Sequence, residues 1–482
     1  MRTKDSMLFD EMQEVFSEKL AISEGNLVVI LMLIRMMCAA MLPELKTSIP
    51  GPRSVELAAE LRKYESHNVT YVAEDWPIFW ERAEGSSVWD ADGNRYIDVT
   101  SAFGVAGLGH THEVLRDAMV EQSGKLMHAM GDVHPTELKI EVCKRLSELT
   151  FERWGKGGGK TVLANSGFEA VETALKTAFI ATGKAGVLHF KNGYHGLGYG
   201  ALLGSGFDKF RGPFDPQLAN VRYELDFPRT EEDLAILRQQ LAGLLSEGIG
   251  ALLLEPMQGR GGKVIPPIGF LKILREWADT HGVVLIFDEI YSGFNRTGRL
   301  FACEWEGVFP DLICVGKALS GGYPISACVG LPSVMDKWPV SPGEALHTST
   351  FLGNPVGCAM AVEALKMHAD PLLAANVERQ GNELISMLEE IDSPLIHEVR
   401  GRGLMIGVEL RHPDGQPAGD VAGQLLGQML ERGVVMLADG PDGNILAFTP
   451  PFYITLGELV YVVQQLTELL RDHEHGALRL PY

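Results

Sequence analysis

Four short apolar runs in this chain each stop on a polar residue. KTVLAN (160–165) leads into Ser166 and Gly167, GALLLE (250–255) ends on Glu255, VVLIFDE (283–289) carries Asp288, and LICVG (312–316) is followed by Lys317. Runs of this length and composition read as buried strands, and in an open α/β sheet ligands collect where such strands end. Each residue also has an ordinary reading. Ser166 with Glu169 spells a capping box, but Ser166-Gly167 at a strand-to-helix turn equally leaves free N–H groups at the positive end of a helix, which suits a phosphate dianion. Asp288 would serve as a helix cap, a metal ligand or the partner of a cationic heterocycle. Lys317 would snorkel to the surface or, enclosed among apolar residues, have a lowered pKa and act as a nucleophile.

Three of these residues are more specific together than apart. A phosphate-binding helix start, a strand-end carboxylate and a strand-end lysine are what pyridoxal 5'-phosphate requires. The phosphate rests on the helix, the carboxylate keeps the pyridinium nitrogen protonated, and the lysine forms a Schiff base.

The elements that must position them show in the sequence pattern. SSVWDADGNRYID (86–98) reads as a hairpin turning at Asp92-Gly93. SGFEAVETALKTAFIATG places Ala170, Ala174, Leu175 and Ala178 at helical spacing, GVLHF (186–190) is another strand, and GFLKILREWADTHG is a helix ending at Gly282. Strands apolar throughout, alternating with helices, predict an α/β domain whose mainly parallel sheet is covered on both faces. Beyond residue 370 the pattern changes to a helix (371–391) and the strands IHEVRG, LMIGVEL, VVML and NILAFTPP, which predict a smaller α+β domain. The expected division is an N-terminal extension 1–40, a segment 41–99 joining the small domain, a large cofactor-binding domain 100–369 and a small domain 370–482.

A formal net charge of −21 would repel phosphate backbones and argues against a nucleic-acid partner. The six cysteines are scattered, with no C-x-x-C pair, so neither a disulfide framework nor a zinc site is indicated, and a cytoplasmic setting is expected. The apolar run LVVILMLIRMMCAAML (27–42), broken by Arg35 and closed by Pro43, has 16 residues. A spanning helix needs about 20, and the preceding segment is acidic, which makes a poor secretory signal. The expectation is that translation begins at Met41, with a membrane anchor as the alternative.

Seven motifs then carry a family resemblance: NSGFEAVETALK (165–176), GYHG (193–196), EPMQGRGG (255–262), IFDEIYSGFNRTGR (286–299), GKALSGGYPISA (316–327), TSTFLGNPVGCA (348–359) and VRGRGLMIGVEL (399–410). Over roughly residues 70 to 470 the chain resembles the class III pyridoxal-phosphate aminotransferases, the family of the ornithine and 4-aminobutyrate enzymes. The resemblance implies fold type I and ping-pong transamination between an amine or amino acid and a 2-oxo acid. It makes Lys317 the Schiff-base lysine and Asp288 the partner of the ring nitrogen. Ser166 and Gly167 would hold the phosphate, with Thr350 reaching it from the neighbouring subunit of a homodimer with shared active sites. Tyr194 would lie against the ring, with Phe168, His195, Glu255 and Tyr291 around it, and Phe103, Leu197, Arg260 and Ala447 would face substrate.

The chain departs from that family at five of these positions. Phe168 stands where the family has a small or hydroxylated residue, and Tyr291 where it has a glutamine near the ring hydroxyl. Leu197 and Ala447 replace the arginines that grip substrate carboxylates. Arg260 stands in place of the glutamate that pairs with one of those arginines. Two expectations follow for Arg260: a resting ion pair with a nearby carboxylate, or the role of carboxylate anchor. An amino-acid racemase or aminomutase using the same cofactor is the alternative function. A silent scaffold is a third, disfavoured because it would need neither Lys317 nor Asp288.

Overall fold

The computed structural model describes residues 41–474 apart from 72, 74 and 75, so most of the apolar stretch 27–42 lies outside the described residues. Its first strands, β1 (Trp80–Glu84), β2 (Ser87–Asp90) and β3 (Arg95–Asp98), form an antiparallel meander whose β2–β3 turn carries Asp92 and Gly93. The central sheet follows, with β4 (Lys160–Ala164), β5 (Gly186–Phe190), β6 (Arg222–Leu225), β7 (Ile249–Leu254), β8 (Val284–Asp288), β9 (Leu312–Val315) and β10 (Ser326–Gly330). Its spatial order is β4-β10-β9-β8-β7-β5-β6, and every pairing is parallel except the two made by β10. Strands β5, β7, β8, β9 and β10 are buried along their whole length. Helices such as Gly167–Thr182 and Phe270–His281 cover the faces, which is why these strands are largely apolar rather than apolar only at alternate positions.

The last strands are β11 (Ile396–Arg402), β12 (Met405–Leu410), β13 (Val434–Val435), β14 (Leu437–Asp439) and β15 (Ile445–Phe448). They correct one expectation: VVML is not one strand. Val434 and Val435 pair in parallel with Ile97 and Asp98 of β3, whereas Leu437–Asp439 pair with β15 in a separate sheet of order β11-β12-β15-β14. Met436, buried between the two, is the point at which the chain changes sheet. A second core, containing Ile97, Leu384, Leu425 and Phe448, joins the early β3 to these late elements.

Arg296 ties the parts together. Its buried guanidinium donates to Leu404 O at 3.0 Å and Pro450 O at 2.6 Å, and lies 4.4 Å from the Phe452 ring centre. Burial pushes its pKa down to about 10. Among the described residues no helix is long and apolar enough to cross a membrane.

Candidate active site

Strand order determines which polar residues become neighbours. β4 and β9 run parallel with β10 wedged antiparallel between them, Ser326 opposite Ala164 and Ala327 opposite Val315. Ser326 Oγ donates to Ser166 O at 2.6 Å, locking the β4 exit to the start of β10. The far side of β9 pairs with β8, Asp288 opposite Cys314. Ser166, Lys317 and Asp288 thus reach one edge of the sheet although they lie far apart in the chain.

They open onto a cavity of about 730 Å³. It is lined by Ser166, Gly167, Phe168, Tyr194, His195, Glu255, Asp288, Tyr291 and Lys317, and on its other walls by Phe103, Leu197, Arg260 and Ala447. Among the site residues expected from the sequence, only Thr350 is outside it; it is exposed beside the exposed Phe351.

At the phosphate end, the Glu169 carboxylate accepts from the backbone N–H of Asn165 and of Ser166, both at 2.8 Å, and from Ser166 Oγ at 3.1 Å. That caps the helix. The N–H groups of Gly167 and Phe168 in its first turn have no partner among the described residues, so the capping box leaves two donors that an anion could use. A Cβ at Gly167 would press on the Ile290 side chain, so the helix start packs closely against the residue that follows Asp288-Glu289.

Asp288 is held from two sides. Its Oδ1 accepts from Ile290 N at 3.1 Å and its Oδ2 lies 2.8 Å from His195 Nδ1. Glu255 is a brace for the loop: one oxygen accepts from Tyr194 N and the other from Gly259 N, each at 2.9 Å. Burial raises its pKa.

Lys317 is open to the cavity but deep in the protein, and it forms no ion pair among the described residues. Its Nζ lies 4.5 Å from the Tyr291 ring centre. Burial depresses its pKa, Lys263 and Arg260 push the same way, and Asp288 and Glu255 oppose them. The backbone at Lys317 is left-handed, with φ of 43°. A side chain there is strained, and such strain gathers at functional sites.

The sequence reading named Phe103 but missed the residues that position it, and it missed Lys263 and Thr449. Ser101, Ala102, Phe103 and Gly104 form a left-handed turn with φ of 48°, 48°, 62° and 81°. Asp98 Oδ2 accepts from Ala102 N at 3.0 Å, and Ser101 Oγ donates to Thr449 O at 2.6 Å, which holds Phe103 on the cavity wall. Lys263 is buried, its Nζ 2.6 Å from Asp439 Oδ2 and 3.2 Å from Tyr291 OH. Tyr291 OH in turn lies 3.2 Å from Thr449 Oγ1, which donates to Thr100 O at 3.2 Å. Because that carbonyl can only accept, Thr449 receives the tyrosine proton and the phenol oxygen receives from Lys263. A charged residue after EPMQGRGG, next to an apolar stretch, was the one available signal for Lys263.

Free N–H groups at a helix start, a braced carboxylate and a lysine of depressed pKa line one cavity of an α/β protein, an arrangement whose chemistry fits pyridoxal phosphate. The class-III aminotransferase family model matches residues 70–470. The chain is 36% identical over 399 residues to acetylornithine aminotransferase of Methanopyrus kandleri, covering 82% of this chain and 95% of that protein. It is 33% identical over 457 residues to 4-aminobutyrate aminotransferase of Mycobacterium leprae, covering 89% and 98%. Ornithine aminotransferase from Toxoplasma gondii, in a structure with partial occupancy of pyridoxal phosphate at the active site, matches with a TM-score of 0.76 at 30% identity over 88% of this chain and 96% of that one.

The chain belongs to the class III aminotransferases. It is a pyridoxal-phosphate-dependent aminotransferase of fold type I.

Proposed function

We propose that this cavity performs ping-pong transamination with Lys317 as the group that both attaches the cofactor and moves the proton. Bound there, pyridoxal phosphate supplies an electrophilic carbonyl and a cationic ring that accepts an electron pair. The Gly167 and Phe168 N–H groups would hold its phosphate, Asp288 would pair with its ring nitrogen, and Tyr194 would pack against the ring. Lys317, whose ammonium form burial disfavours, would attach the cofactor and, once displaced by an incoming amine, would take the proton from the substrate carbon. The observation that carries this reading is the depressed pKa of Lys317 in the same cavity as Asp288 and the two free N–H groups.

Arg260 anchors the carboxylate of the 2-oxo acid. Support comes from its surroundings: it has no ion pair among the described residues, and its guanidinium lies 4.8 Å from the Tyr194 ring centre and 5.2 Å from that of Phe210. The amine donor lies along an apolar wall formed by Phe103, Phe168 and Leu197. Stopped-flow measurement of the two half-reactions tests this. Arg260→Ala should slow the 2-oxo-acid half-reaction about 30-fold or more while a carboxylate-free amine reacts nearly as before. Equal losses in both would remove Arg260 from the anchoring role.

The enzyme works as a homodimer in the cytoplasm, with Thr350 serving the neighbouring subunit's phosphate. Supporting the dimer, Met127, Met130, Val133, Ile140, Leu346 and Phe351 are exposed apolar side chains from the segments around Thr350. Sedimentation gives the mass, and Thr350→Ala should weaken cofactor binding; a monomer that binds cofactor with unchanged affinity would refute the shared site. No feature of the cavity favours the racemase or aminomutase alternative.

A further inference from the structure

The cavity holds a carboxylate and a guanidinium on apposed segments that do not pair. Asp439 and Arg260 line the same space, and Gly440 N donates to Arg260 O at 2.9 Å, so their backbones meet. Arg260 is nevertheless spread over the Tyr194 and Phe210 rings. Asp439 is already engaged: its Oδ2 lies 2.6 Å from Lys263 Nζ, on an ammonium side chain with 0% exposure. Tyr291 OH, at 3.2 Å, receives a second Lys263 proton and keeps the ammonium turned toward this corner.

Resting on the reading of Arg260 as carboxylate anchor, we propose that Lys263 is a specificity-determining residue that sequesters Asp439 and so keeps Arg260 open to the carboxylate of a ligand. The two cations divide the work. Lys263 neutralises the protein's own carboxylate, and Arg260 is left with aromatic faces, which attract a cation without competing for its hydrogen-bond donors from the side. An apolar residue at position 263 would fill the same volume but strand Asp439, and a carboxylate enclosed without a partner turns to the next available cation. On these segments that cation is Arg260.

The test uses hexanoate, which has a carboxylate and an apolar tail but no group to transaminate, titrated calorimetrically into the cofactor-loaded enzyme. Lys263→Met should raise its Kd about tenfold, the effect expected if Asp439 occupies Arg260 for roughly nine-tenths of the time. Adding Asp439→Asn to Lys263→Met should return the Kd to within about threefold of wild type. Arg260→Ala should weaken binding by itself, and Lys263→Met placed on Arg260→Ala should add nothing. Lys263→Gln, which keeps a donor for Asp439 without the charge, should fall between wild type and Lys263→Met and serves if the methionine variant does not fold. Thermal midpoints and cofactor content are measured for every variant. An unchanged Kd in Arg260→Ala would sink the anchor reading itself. Weakening by Arg260→Ala with wild-type affinity in both Lys263 variants, or a Lys263→Met loss that Asp439→Asn does not restore, would overturn the role of Lys263 alone.

Discussion

His195 Nδ1 and Asp288 Oδ2 lie 2.8 Å apart, with both side chains buried. The histidine therefore spends one ring N–H on the carboxylate that faces the cavity, and Ile290 N fixes the other oxygen at 3.1 Å. A carboxylate braced on two sides keeps its orientation without having to reorganise when a cation arrives.

Removing the charge should cost rate rather than affinity. Asp288→Asn is expected to lower kcat by about 100-fold or more, near 2.7 kcal/mol of lost transition-state stabilisation, with KM changing far less. His195→Phe, which leaves the charge but removes the brace, should give a smaller loss. Steady-state kinetics of both variants checks this, and a defect confined to KM would make Asp288 a structural residue.

For Lys317 the check is covalent. Borohydride reduction of the cofactor-loaded enzyme should leave the cofactor mass on the peptide containing Lys317, read by mass spectrometry. Lys317→Ala should show no modified peptide and negligible turnover. A modified peptide elsewhere in that variant would assign the attachment to another lysine.

Acid sensitivity should trace in part to His368. This buried imidazole lies 3.0 Å from Ala318 O through Nε2 and 3.3 Å from Asn295 Nδ2 through Nδ1, so it is neutral with its one proton on Nε2. Burial holds its pKa at about 4 against an ordinary 6.5. Below 6.5 the unfolded chain takes up a proton that the folded one refuses, so this contribution to stability is complete above pH 6.5 and is lost as pH falls toward 4, by about 3 kcal/mol. Urea midpoints at pH 7 and pH 5 measure the loss. His368→Gln, able to donate to Ala318 and accept from Asn295, should shrink it; an identical pH dependence would assign the sensitivity to other groups.

The left-handed turn beside the cavity should tolerate glycine. At Ala102, with φ of 48°, Ala→Gly relieves a strain of about 1 kcal/mol, partly offset by the greater freedom of glycine when unfolded. The expected outcome is a thermal midpoint at or slightly above that of wild type, against the usual destabilisation of Ala→Gly inside a right-handed helix. A loss of several degrees would mean that the Ala102 methyl packs where it is needed.

Much of the scaffold was legible because it obeys local rules. Apolar runs bounded by glycine marked β5, β7, β8 and β9, helical spacing marked Gly167–Thr182, and Gly282, at φ of 61°, ends the helix Phe270–His281 as its position suggested. The strand-end residues Ser166, Glu255, Asp288 and Lys317 followed, since a parallel sheet delivers the exits of its strands to one edge. β10 was missed: SACVG has two small residues and a glycine among its five positions, and its antiparallel wedge between β4 and β9 is a choice of partner rather than of propensity. The same holds for VVML, whose division between two sheets depends on β3 and β15 being near.

Sequence by itself determined the type of chemistry here, because the lysine, the aspartate and the helix start are each placed by the element that carries them. Only the tertiary structure decided how the charges around them pair. Lys263 and Asp439 are 176 residues apart, and Arg296 and Thr449 reach Ser101 from positions 195 and 348 residues along the chain. A side chain's spacing along the chain carries no information about such partners. Whether Arg260 faces a carboxylate or an open cavity is settled by which ammonium reaches Asp439, and that is a property of packing.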